Sequence, residues 1–197
     1  ALMQGLSDGY FIIPYTLGNY LSGQSAGAVS TEHPAFQEAE QHVTDRIHRL
    51  LNVNGKRTVL SFHRELGRLI WDNVGMSRTE AGLRDALKRL PEMKEEFWND
   101  VNIPGAPTTY NKYLEFGLRV ADFIELGELM ARDALEREES CGGHFREEHQ
   151  TPEGEALRRD DDFAYAAVWE HKGDQPHTLH KEELTFENVK LTTRSYK

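Results

Sequence analysis

The helical periodicity between residues 109 and 138 constrains the fold of this chain more than any other feature. Leu114, Leu118, Ala121, Phe123 with Ile124, Leu129 with Met130, and Leu135 recur at three- and four-residue steps. A helix of that span is about 45 Å long at about 1.5 Å per residue. Such a rod buries its apolar stripe only by packing on other elements. Three earlier segments offer themselves. Phe36, Ala39, Val43, Ile47, Leu50 and Leu51 share one helical face, with Pro34 suited to the first turn and Asn54-Gly55 to the stop. Val59, Phe62, Leu66, Leu69, Ile70 and Val74 form a second face, ending at Gly75, where a left-handed residue is expected to close the helix. Ser77-Arg78-Thr79-Glu80 has the spacing of a capping box and opens a third helix carrying Leu83, Leu87, Leu90, Phe97 and Val101. Pro91 lies inside it, and because an interior proline costs about 3 kcal/mol, a kink or split is predicted at residues 89–90. Residues 102–107 are a break. The predicted fold is mainly α, an antiparallel three- to four-helix bundle like a spectrin repeat over residues 31–140, with a small carboxy-terminal β element.

Charge divides the chain near residue 30. All but one of its 23 basic and 33 acidic residues lie beyond that point, the exception being Asp8. Residues 1–30 are apolar and rich in Gly, Ser and Ala, and Tyr10-Phe11-Ile12-Ile13 and Tyr15 are poorly solvated if left uncovered, so this segment is expected to pack on something large. The net charge of −10 argues against a nucleic-acid partner, which needs a surplus of Lys and Arg. The apolar run from Tyr10 to Ile13, ended by Pro14, is far short of the roughly 20 residues that cross a bilayer. Cys141 is the single cysteine, so no intrachain disulfide forms, which fits a reducing compartment. The chain opens at Ala1 rather than Met, which points to processing or to a longer parent.

Beyond Ser140 the pattern changes. Cys141-Gly142-Gly143 ends the long helix, residues 149–162 read as loop, and residues 163–169 and 184–191 read as two strands covering the bundle. Few residues suggest chemistry. His171, His177 and His180 lie on a loop without a carboxylate or cysteine at ligand spacing, so no metal site is expected. Cys141 and His144 are a weak nucleophile pair, and His63 reads as a packed core histidine. Glu92, Glu95, Glu96 and Glu136, Glu138, Glu139 read as solvated charge runs, no phosphate loop is present, and no catalytic residue is expected.

One element carries a family resemblance. Residues 137–148, Arg-Glu-Glu-Ser-Cys-Gly-Gly-His-Phe-Arg-Glu-Glu, follow a helix containing Leu126-Gly127-Glu128-Leu129-Met130-Ala131. They resemble the Arg-x-Glu-Ser-Arg-Gly-Ala-His-x-Arg-x-Asp element of succinate dehydrogenase and fumarate reductase flavoprotein subunits. The terminal Arg194-Ser195-Tyr196 is similar to that family's ending, and Trp169 sits where the family carries a Trp before its last strands. Cys141 stands in place of the family's Arg and Gly143 in place of its Ala, which suggests a distinct bacterial branch. Residues 1–6 resemble the segment after the family's Gly-Ala-Asn-Arg-Leu-Gly signature, whose Arg holds the dicarboxylate. That signature is absent here.

The resemblance therefore implies a carboxy-terminal fragment. Residues 1–30 would be a remnant of the FAD-binding domain, 31–140 the helical bundle and 141–197 a loop-and-strand cover. It implies cofactor contacts at Ala1 and Leu2, where a helix start faces the flavin; Leu2 matches the family's Ser-Leu pair and Ala1 replaces its Ser. It implies FAD in the full-length subunit but not bound to the fragment, and catalytic residues upstream of Ala1. It also implies succinate or fumarate as substrate, coupling to quinone, and as partners an iron–sulfur subunit and a membrane-anchor cytochrome b subunit. The location implied is cytoplasmic, peripheral on the inner face of the cell membrane. The alternatives are the same domain of L-aspartate oxidase and a non-enzymatic helical adaptor.

Overall fold

The computed structural model describes residues 2–25, 27–106, 108–173 and 175–192. The chain divides into two compact units, Ala1–Thr44 and Asp45–Lys197. In the first, α1 (Leu2–Ser7), a π-helical turn (Asp8–Ile12) and α2 (Ile13–Ser22) follow one another without a break. Pro14 falls in the first turn of α2, where a missing amide is tolerated. None of these residues is buried, and Leu2, Tyr10, Phe11, Tyr15 and Tyr20 are each more than 60% exposed. Helix α3 (Pro34–Asn52) begins in the first unit and ends in the second. Phe36 and Val43 are exposed, contrary to the core role predicted by their spacing; along α3 only Leu50 is buried.

The second unit is built on α4 (Val59–Val74), α5 (Glu80–Asp100) and α6 (Lys112–Glu136), an antiparallel up-down-up bundle that also takes in the last turn of α3. Each bundle helix starts at a residue whose side chain accepts free amides. Thr58 Oγ1 accepts from the Ser61 amide, Thr79 Oγ1 from Gly82, and Asn111 Oδ1 from both Tyr113 and Leu114. The capping residue of α5 is thus Thr79, two positions later than the predicted capping box. Asn54, at φ 50°, makes the left-handed turn after α3. A side chain on Gly55 would collide with the Asp100 backbone at 2.0 Å, and that close approach lets the Gly55 amide reach the Val101 carbonyl. Strands β1 (Arg57–Thr58) and β2 (Val101–Asn102) pair in parallel there, tying the start of α4 to the end of α5. Val101, predicted on the helix face, instead begins β2.

The core is one cluster containing Leu50, Phe62, Leu66, Leu83, Leu90, Met93, Phe97, Val120 and Ile124. Phe62 and Phe97 meet edge to face at 5.2 Å. His63 packs at 5.1 Å from the Phe116 ring. Helix α5 continues through Pro91 without the predicted split. Leu90 and Met93, fully buried on either side, hold it in line, while Pro91 itself faces solvent, where the carbonyl it leaves unpaired can reach water. Helix α6 starts at Lys112, and its buried face is Gly117, Val120, Ala121, Ile124, Gly127, Ala131 and Ala134; of the residues the periodicity predicts, Ala121 and Ile124 are buried and Leu114, Leu118 and Leu135 are partly buried against the core. Added methyls would lie 2.8 Å from Ile103 Cδ1 at Gly117 and 3.0 Å from Ile70 Cδ1 at Gly127, so small residues bring this helix close to its neighbours. Phe123 and Met130 are left on the rim, about 40% exposed.

A charge cluster crosses one side of the bundle. Arg57 and Arg89 each bond both Glu65 and Glu96, at 2.5–2.9 Å. The two guanidinium groups overcome the effect of burial on Glu65 and hold both carboxyls below their ordinary range. Glu96, read as solvated, is part of this cluster.

The cover comprises a single turn, α7 (Asp160–Phe163), and the antiparallel hairpin β3 (Tyr165–Glu170) and β4 (Thr178–Glu183). The second strand therefore precedes the predicted 184–191. Backbone pairing across a short loop selects the charged Thr178–Glu183 segment, which needs no burial because most of its side chains face solvent. Among the described residues no helix is long and apolar enough to cross a membrane.

Leu66 is 4% exposed at the centre of α4. Leu66→Asp should abolish the cooperative thermal transition followed by circular dichroism, since an unpaired buried charge costs several kcal/mol. An unchanged melting curve would contradict this packing.

Candidate functional site

The strongest concentration of buried polar groups lies where α6 ends. A helix terminus leaves carbonyls without intrahelical partners. Arg146, 1% exposed, turns back onto them, donating through Nη1 to the Ala134 carbonyl at 2.9 Å and to Leu135 at 3.3 Å, and through Nε to Glu148 at 3.2 Å. The largest fully buried side chain among the described residues is thus a cation at the negative end of a helix dipole. Ser140, fully buried, holds the same residue by its backbone: its Oγ accepts from the Arg146 amide at 2.8 Å and donates to the Arg146 carbonyl at 3.2 Å.

Two further helix ends meet this element. Arg78, in the turn between α4 and α5, donates Nε to the carbonyls of Val74 and Gly75, closing α4. Gly75 itself sits at φ −74° and not in the predicted left-handed conformation. The α5 start receives a carboxylate, because Glu148 Oε1 accepts the Glu80 amide at 2.6 Å. That bond, the Arg146 pair and the field of Arg146 outweigh burial and hold the Glu148 carboxyl below its ordinary range. Strand-like pairing joins the pieces: the Arg78 amide donates to Phe145, the Glu147 amide donates to Arg78, and Ser77 Oγ, read as part of the capping box, donates to Glu147 at 2.7 Å.

Glu139, read as solvated, is 2% exposed. It accepts from Arg137 Nη1 at 2.7 Å and from the Arg159 amide at 2.9 Å. Arg137 in turn donates to the Phe163 and Tyr165 carbonyls, and Trp169 Nε1 donates to Asp133 at 2.8 Å, so the cover is bolted to the same end of α6.

Cys141 and His144 close a tight turn through paired backbone bonds, with Gly142 at φ 59°. His144 lies within reach of two fixed groups. Its Nε2 is 2.9 Å from the Arg137 carbonyl and its Nδ1 is 2.7 Å from Arg78 Nη1. A carbonyl only accepts and a guanidinium only donates, so Nε2 carries the proton and the ring is neutral. Burial, together with the charges of Arg78, Arg146 and Arg137, lowers its pKa despite the carbonyl bond. With both nitrogens engaged, His144 has no lone pair to take a proton from the exposed Cys141, so the two do not form a nucleophile pair.

The other sequence candidates stay apart. The His171 and His177 rings lie 5.2 Å apart, tilted by 37°, His180 pairs with Glu170 on the hairpin, and among the described residues no three His, Cys, Asp or Glu side chains converge as metal ligands. Leu2 opens α1 and is 93% exposed. Ala1 and residues 194–196 lie outside the described residues. Sequence reading quoted Arg78 and Glu148 within motifs but missed their roles as helix-end partners, because neither has a local signal that marks it.

A family model described as fumarate reductase flavoprotein C-term matches residues 63–196. An uncharacterised FAD-dependent oxidoreductase of Methanocaldococcus jannaschii is 28% identical over 129 residues, covering 65% of this chain and 23% of its own length. The fumarate reductase flavoprotein subunit of a Serratia species is 25% identical over 129 residues, covering 66% of this chain and 21% of its own length. An L-aspartate oxidase of Synechocystis also matches, at 24% identity over 127 residues, covering 57% of this chain and 23% of its own length. A solved quinol–fumarate reductase with menaquinol shares the fold, at TM-score 0.70 and 23% identity over 84% of this chain and 27% of its own. The chain spans about a quarter or less of the relatives it matches.

The His144 geometry sets a pH dependence. Below pH 6.5 the unfolded chain takes up a proton that the folded one resists, so the His144 contribution to stability is complete above 6.5 and is lost as pH falls below it. Urea titrations should show this acid-side loss in the parent and a shallower one in His144→Gln. An equal loss in both would contradict the assigned tautomer.

Proposed function

The chain belongs to the family of fumarate reductase flavoprotein C-terminal domains, and from that premise we propose that it is the carboxy-terminal helical domain of a succinate dehydrogenase or fumarate reductase flavoprotein subunit. In this reading the whole subunit holds FAD and interconverts succinate and fumarate. Electrons pass between it and a quinone through an iron–sulfur subunit and a membrane-anchor cytochrome b subunit, which also hold the complex on the inner face of the cell membrane. FAD, when bound in the full subunit, would supply the hydride acceptor for succinate oxidation. This chain's share is mechanical: the capped bundle stiffens one wall around the flavin domain and presents surface to neighbouring subunits.

The observation that carries the reading is the contrast between the two units. The described residues from 45 onward form the bundle and its cover, with ionic groups tied into caps and clusters. Residues 2–22, by contrast, are helical with large apolar side chains exposed and Asp8 as their one charged residue. A helix that leaves this much apolar surface uncovered is one that a larger domain buries. In the proposal that domain is the FAD-binding one. The first turn of α1 holds no acidic residue, so its positive end suits an electron-rich flavin edge, and Ala1 and Leu2 are the residues placed against it. The match to L-aspartate oxidase supports a second reading with the same scaffold and a different oxidised substrate.

The chain alone should be colourless and inert toward succinate with an artificial electron acceptor. Joined to the flavin-bearing part of its subunit, it should give a yellow protein that oxidises succinate and not L-aspartate. Preference for L-aspartate would establish the second reading, and flavin-dependent activity of the chain by itself would overturn the supporting role.

A further inference from the structure

We infer that the groove between α4 and α6 is a docking site for an amphipathic helix of another protein, apolar along one face and acidic along its flanks. The floor of the groove is a hollow of about 230 Å³ formed by His63, Gly67 and Ile70 of α4 with Phe123, Leu126 and Met130 of α6. No Asp, Glu, Lys or Arg lines it. Leu126 is 53% exposed, and beside the hollow Leu60 and Trp71 also face solvent, Trp71 at 80%. Uncovered apolar side chains grouped in this way mark a surface that another molecule covers.

The shape fits a helix. From His63 to Ile70, and from Phe123 to Met130, the groove runs two turns, about 10 Å at about 1.5 Å per residue. A furrow between two helices accepts the side-chain ridge of a third. At Gly67 the α4 surface is bare, since a methyl added there would meet no other part of the fold within 4 Å. An incoming side chain therefore reaches the helix backbone itself.

Charge along the margin selects the flank of that helix. Leu60, Arg64, Gly67 and Trp71 follow at four-, three- and four-residue steps and so share one ridge of α4, with Arg68 one turn beyond Arg64. Both arginines are exposed, and among the described residues neither meets a carboxylate. Arg78 bonds carbonyls and His144, and it lines a second hollow that shares Met130 with the first. The carboxylates on the α6 margin are already held, Asp122 by Arg46 and Asp133 by Trp169. This face of an acidic chain thus offers cations that lack carboxylate partners, and an acidic flank supplies them. Two copies of the chain, each with a net charge of −10, repel one another overall, which favours a different protein as the occupant.

Fluorescence anisotropy of the full chain with two labelled peptides tests this. Each peptide has about 18 residues, long enough to hold a helix in water, with leucines at i, i+3, i+4 and i+7. Glutamates flank the leucines in one peptide and lysines in the other. The glutamate peptide should bind saturably, and the lysine peptide at least tenfold more weakly. Gly67→Phe fills the groove from an exposed position with open space around it, so it should keep the parent's melting midpoint within a few degrees and abolish binding. Arg64→Glu combined with Arg68→Glu should weaken the glutamate peptide at least tenfold and favour the lysine one. No saturable binding of the glutamate peptide, equal affinity for the two peptides, or unaltered binding in either variant would overturn the assignment. A dimer of the chain that Gly67→Phe dissociates would also overturn it, because the occupant would then be a second copy.

Discussion

The structure depends on a buried arginine placed against the end of a helix. Arg146 has almost no contact with water, and a guanidinium there is tolerable only because the Ala134 and Leu135 carbonyls, the α6 dipole and Glu148 surround it with negative potential. The same residues finish neighbouring elements. Glu148 supplies the acceptor at the start of α5, and the backbone on either side of Arg146 pairs with Arg78, which closes α4. One short segment thus completes three helix termini, each of which would otherwise leave polar backbone groups unsatisfied in a poorly hydrated place.

Packing below this lock is close because α6 is lined with small residues. Gly117, Ala121, Gly127, Ala131 and Ala134 let it approach α4 and α5, bringing the helix termini near enough for side chains of ordinary length to span them. The charge cluster of Arg57, Arg89, Glu65 and Glu96 acts on the outer surface, where solvent weakens each pair and the network as a whole contributes modestly. In the proposed reading, rigidity at the α6 end, and not a reactive group, is what this region offers a flavin domain. Its histidine is neutral and doubly bonded, and its exposed thiol has no base.

Helix positions in the bundle were legible because apolar spacing and the Asn54-Gly55 stop act locally, whereas the caps at Thr58, Thr79 and Asn111 went unread. The buried face of α6 was legible at Ala121 and Ile124 but not elsewhere, since periodicity weights large side chains, and here Phe123 and Met130 lie on the rim while glycines and further alanines face the core. Ser77-Arg78-Thr79-Glu80 has the spacing of a capping box, but Ser77 and Glu80 bond Glu147 and Glu148, about seventy residues away. No local rule anticipates that competition. The element at residues 137–148 was recognisable only by its likeness to a family, because a buried Glu139 or Arg146 looks like any surface charge until the chain folds back on α6. The first strand of the hairpin was legible, and the second eluded pattern reading for a related reason: Thr178–Glu183 pairs through backbone, which side-chain alternation does not report.

The claim that these residues form a lock on the bundle is tested most directly by native-state amide hydrogen exchange. The amides of Arg78, Arg146 and Glu147 bond across the junction, to Phe145, Ser140 and Arg78. If the element is an integral cap, they exchange only by global unfolding, with the same protection as Val120 and Ile124 in α6. Fast exchange at those three amides while α6 stays protected would mean that the segment is a loosely attached flap, and the account built on it would fail.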